Sequence, residues 1–74
     1  MAIGEAQLAQ IVVNGESRGI PRGSSVLDLI ENLGLSPERV AVELDRDILP
    51  RSRWADASLT GGERLEIVSF VGGG

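Results

Sequence analysis

The sequence predicts a small α+β fold: one main helix packed on one face of a mixed sheet of about five strands. Three observations carry this. The stretch Leu8 to Val13 is apolar and β-branched and ends at Asn14-Gly15, the pair most characteristic of a tight hairpin turn. Val26, Leu27, Leu29, Ile30 and Leu33 fall at offsets that share one helical face. Two further runs, Val40 to Leu44 and Arg64 to Val71, have the period-two alternation of strands.

In chain order, a first strand over Leu8–Val13 turns at Asn14-Gly15 into a second that reaches about Ile20 and stops at Pro21, which cannot donate to a ladder. Ser25 with Asp28 three residues later is a capping-box variant, and Gly34 stands where a left-handed helix C-cap belongs. Leu35 is the expected hydrophobic partner of that cap. Ser36-Pro37-Glu38 has the order of a short helical turn.

A third strand, Val40 to Leu44, leads through the polar turn Asp45-Arg46-Asp47 to a short edge strand at Ile48-Leu49, closed by Pro50. Arg51 to Leu59 has weak helical character, read as a short 3₁₀ turn or a loop that lays Trp54 over one end of the core. Thr60-Gly61-Gly62-Glu63 is a turn before the last strand. The first and last strands are expected to pair in parallel at the centre of the sheet. In the last strand Leu65 and Ile67 then face the helix, while Arg64, Glu66, Val68 and Phe70 share the open face.

At 74 residues the chain holds one core and buries only about 60% of its unfolded surface, so residues 1–74 form a single domain with a tail at 72–74. Seven arginines against eleven acids leave a net charge of −4, which repels a phosphate backbone; nucleic acid is not an expected partner. The lack of Lys reads as codon bias of a GC-rich genome. No apolar run approaches the ~20 residues of a membrane span, and Met1 to Gln10 carries Glu5 and no basic residue, unlike a signal peptide. A cytoplasmic protein, monomeric when alone, is expected.

The sequence contains no His, Cys, Lys or Tyr, which removes nearly every usual general base, covalent nucleophile and transition-metal ligand. Its serines have no imidazole or amine partner for a dyad or triad, so the chain is not read as an enzyme. Glu43, Asp45 and Asp47 lack the spacing and the glycine of a calcium loop and read as a solvated turn; no metal or bound cofactor is expected. Gly61-Gly62 is followed by Glu63 and not by Lys and Ser or Thr, so it is no phosphate cradle.

The remaining feature is the tail, Phe70-Val71-Gly72-Gly73-Gly74. Three glycines do nothing for folding, because they maximise the entropy to be frozen. A frayed end or a cloning remnant is the plain alternative. The functional reading is a tail without Cβ atoms that threads a narrow channel in a partner and delivers an unhindered carboxylate. That carboxylate is ionised at neutral pH, with a reference pKa of about 3.3–3.7.

This tail, together with Ile48-Leu49-Pro50-Arg51 followed by Trp54, and the Gly-Gly-Glu-Arg-Leu-Glu-Ile approach at residues 61–67, resembles the ThiS family of thiamine-biosynthesis sulfur carriers from about Gln10 to Gly74. The resemblance implies a ubiquitin-like β-grasp fold. It further implies that Gly74 is the attachment point: an ATP-dependent adenylyltransferase of the ubiquitin-activating type activates its carboxylate, a persulfide donor protein supplies sulfur in place of AMP, and the thiocarboxylate passes sulfur to thiazole synthase. ATP is then the partner's cofactor, and Gly72 and Gly73 thread the partner site. From the alternation itself, Val68 and Phe70 are exposed apolar groups beside the tail and, with Val71, are the expected partner interface. Terminal glycines are shared with the molybdopterin synthase small subunit and with ubiquitin-like modifiers, so a carrier of another pathway or a protein modifier stays open. The first seven or so residues extend beyond the resemblance and have no assigned role.

Overall fold

Residues 7–70 are described by a computed structural model of the chain. The strand β1 (Leu8–Val13) forms a hairpin with β2 (Glu16–Pro21). The two-residue turn has Asn14 at φ 51° and Gly15 at φ 86°, the positive pair whose twist matches a right-handed hairpin. Helix α1 (Val26–Asn32) follows. β3 (Val40–Leu44), β4 (Asp47–Ile48) and β5 (Arg64–Ser69) complete a five-stranded sheet of order β2-β1-β5-β3-β4. β1 and β5 are the parallel pair and every other pairing is antiparallel. This is the β-grasp arrangement: a helix crosses one face of a mixed sheet whose central strands lie at opposite ends of the chain.

Both ends of α1 are closed as the sequence reading expects. The Ser25 hydroxyl accepts from the Asp28 N–H at 3.0 Å, and the Asp28 carboxylate accepts from the Ser25 N–H at 2.9 Å, a reciprocal capping box. At the other end Gly34, at φ 75°, donates to the Glu31 carbonyl and Leu35 to the Ile30 carbonyl, the paired bonds of a Schellman cap. Leu33 and Leu35 are half-buried against the core.

The core lies between α1 and the sheet. Val26, Leu29 and Ile30 of the helix meet Ala9, Ile11, Val13, Val40, Val42, Leu65 and Ile67, and Trp54 and Leu59 close one side. Trp54 is 2% exposed, and its indole N–H donates to the Leu49 carbonyl at 2.9 Å, so burying the ring leaves no polar atom unsatisfied. It follows a 3₁₀ turn over Arg51–Arg53, as expected.

Element boundaries shift in three places. The hairpin before β4 turns on Asp45 and Arg46 alone, at φ 50° and 76°. Asp47 therefore belongs to the strand, which is Asp47–Ile48 in place of the expected Ile48-Leu49. Pro21 is the last residue of β2, opposite Leu8; β2 is an edge strand, where a missing N–H costs no ladder bond. β5 ends at Ser69 and not at Val71, although the Phe70 N–H still donates to the Arg39 carbonyl at 2.7 Å. Among the described residues, no helix is long and apolar enough to cross a membrane.

Candidate tail-exit site

Gly72, Gly73 and Gly74, and Val71 of the expected interface, lie outside the described residues. What the structure fixes is the point from which they depart. The side chains of β5 alternate as its sequence dictates: Leu65 and Ile67 are buried, whereas Arg64, Glu66, Val68 and Phe70 are exposed. Val68 and Phe70 are each 56% exposed, so Phe70 is not a core residue although it is one of only two aromatics. Its backbone bond to Arg39 ties the end of the last strand to the turn over Pro37–Arg39.

Two residues join this surface that the sequence reading placed in the Ile48-Leu49-Pro50-Arg51 motif but not in the interface. Ile48, 78% exposed, is the cross-strand partner of Glu43, and Glu43 is the partner of Glu66. Cross-strand partners share a face, so Ile48 lies on the same open face as Val68, which pairs with the half-buried Ala41. A two-residue strand is too short for alternation to reveal which side Ile48 takes. The second is Arg51, which with Pro50, Leu49, Ile48, Ala41 and Phe70 borders a shallow cleft of about 310 Å³. The Pro50-Arg51 stretch and the tail root, more than fifteen residues apart in sequence, thus meet at one place.

The turn that delivers the chain into β5 is held by a carboxylate. Glu63 accepts from the Thr60 N–H at 3.0 Å, the Thr60 hydroxyl at 3.1 Å and the Gly61 N–H at 2.7 Å. Partial burial pushes its carboxyl up, but the backbone N–H groups of Thr60, Gly61 and Glu63 and the Thr60 hydroxyl outweigh this and hold it below the usual value of 4.5. Asp45 works in the same way on the other flank: its carboxylate accepts from the Arg64 N–H at 2.9 Å while its own N–H donates to the Arg64 carbonyl at 2.8 Å. Asp45 is thus engaged in positioning β5. Among the described residues, no group of three or more His, Cys, Asp or Glu is placed to hold a metal ion.

The model of the ThiS family matches residues 6–74. The chain belongs to the ThiS family. That match takes in nearly the whole chain and includes the glycines of the tail. The structure of this chain superposes on the crystal structure of ThiS from Geobacter metallireducens with a TM-score of 0.74 at 28% identity, over 88% of this chain and 99% of that one. The sulfur carrier protein ThiS of Escherichia coli is 26% identical over 65 residues, which is 88% of this chain and 98% of that protein. A thiazole synthase of Paramagnetospirillum magneticum is 40% identical over 65 residues, and one of Magnetococcus marinus 34%. The chain spans only about a fifth of the length of either synthase.

Proposed function

We propose that this chain is the sulfur carrier of thiamine thiazole formation and that the carboxylate of Gly74 is its working group. The observation that carries the reading is the family match, which runs through the tail glycines to residue 74. The absence of His, Cys, Lys and Tyr from the chain supports a protein co-substrate and not an enzyme, since a carrier needs no side chain of its own to act as base or nucleophile.

In the proposed cycle an ATP-dependent adenylyltransferase in the cytoplasm binds the tail. A carboxylate oxygen of Gly74 attacks the α-phosphate and pyrophosphate leaves. The terminal sulfur of a persulfide on a donor protein then displaces AMP from the acyl carbon, and thiol cleavage of the resulting S–S bond leaves the thiocarboxylate. Thiazole synthase takes the sulfur. The thiazole synthase relatives, which contain a stretch similar to this chain, support that last partnership. Val68 and Phe70, exposed beside the tail root, are the side chains proposed to meet the adenylating partner, with Val71, while Gly72 and Gly73 pass its channel as bare backbone.

The test is pyrophosphate release and the oxygen-to-sulfur mass change on the intact chain, wild type against a Gly74 deletion and Gly73→Val. Deleting one residue withdraws the carboxylate by up to about 3.3–3.6 Å, and a misplacement of ~1 Å already costs about a hundredfold where reacting groups must meet. The deletion variant should fold and yet acquire almost no sulfur; sulfur uptake near the wild-type rate would refute the assignment to Gly74.

A further inference from the structure

The face of the sheet opposite α1 is covered by no other element among the described residues, and its centre carries a like-charged pair. Glu43 of β3 and Glu66 of β5 are direct cross-strand partners. Side chains so placed have Cβ atoms about 4.5–5.5 Å apart, and like charges there destabilise a sheet. Among the described residues, neither carboxylate has a hydrogen-bond or ion-pair partner. Arg46 and Arg64 border the same cleft, of about 500 Å³, without an ion pair to either. On one side of the acids stands Ile48, 78% exposed, and the next pair of β3 and β5 on the same face, two rungs along, is Ala41 with Val68. None of this helps the isolated fold.

Resting on the carrier reading above, we propose that this face docks thiazole synthase through a Lys or Arg of the enzyme set between Glu43 and Glu66, with an apolar enzyme side chain against Ile48 and Val68. Charge complementarity selects the chemistry: one cation relieves the repulsion of two opposed carboxylates, and desolvation strengthens the contact. A second copy is the wrong occupant, because facing copies would bring these acids together on chains that each carry a net charge of −4. The enzyme is chosen because two thiazole synthases themselves contain a stretch similar to this chain.

The test uses the full chain and the thiazole synthase of the same genome, with titration calorimetry at two salt concentrations. The Glu43→Gln/Glu66→Gln double variant should melt at the wild-type temperature or above it, since repulsion is removed. It should nevertheless bind the synthase about tenfold or more weakly, with a flatter salt dependence. Ile48→Ser should also weaken binding without lowering the melting temperature. If wild type binds and both variants bind equally well, the docking face is wrong while the carrier reading stands. Weakening confined to the adenylating enzyme, or to self-association in sedimentation, also overturns it. If wild type itself does not bind the synthase, that partnership fails and the docking face with it.

Discussion

The side-chain amide of Asn14 is bonded twice to the backbone of Ile67, accepting from its N–H at 2.8 Å and donating to its carbonyl at 3.1 Å. The Asn14 N–H meanwhile donates to the Leu65 carbonyl at 2.9 Å. The parallel register of β1 and β5 spans only Val12↔Arg64 and Val13↔Leu65. Asn14 therefore carries the central ladder one step further with its side chain, while its main chain, at φ 51°, already turns into the hairpin.

Asn14→Gly keeps the turn and deletes both side-chain bonds, so it should cost about 1–3 kcal/mol in urea denaturation. Asn14→Ala should cost about 1 kcal/mol more, from a Cβ in the left-handed region without a compensating bond. A Gly variant as stable as wild type would show that the central pair does not need this extension.

Trp54→Phe retains an aromatic ring but removes the donor to the Leu49 carbonyl and leaves a void. A loss of about 1–3 kcal/mol is expected, and about 3–5 kcal/mol for Trp54→Ala. Natural domains have only about 5–15 kcal/mol in total, so the Ala variant should be partly unfolded at 37 °C. Far-ultraviolet circular dichroism checks both, since the variants lack the only Trp.

Glu63 should make acid stability partly its own. Its folded-state pKa is held below the ordinary value of 4.5, so its contribution is present above the unfolded pKa and is lost as pH falls through the folded one. The stability gap between wild type and Glu63→Gln should be constant near neutrality and shrink below about pH 4.5. A gap that widens with acid would reverse the assigned sign.

Phe70→Ala should leave the melting temperature close to wild type, because the ring is more than half exposed and the bond to Arg39 is made by the backbone. Binding to the adenylating enzyme should weaken about tenfold or more, as for an aromatic interface anchor. A variant that loses stability and binds normally would give Phe70 a structural role instead.

What the sequence determined by itself is what neighbouring residues decide. The Asn14-Gly15 turn, the Ser25 and Asp28 cap, the left-handed Gly34 and the inward Leu65 and Ile67 follow from local backbone preferences and from period-two or helical spacing, and the structure has each of them. The tail stands out in the sequence because three glycines have no folding use, and the family match extends over them. Tertiary structure decided what pairs across distance. Whether Asp47 enters a strand, which side Ile48 takes, that Glu43 stands opposite Glu66, that Arg51 borders the cleft at Phe70, and that Asn14 reaches Ile67 across 53 positions all depend on strand register and order. Register is set by the packing of the whole core against α1, and no single segment contains that information.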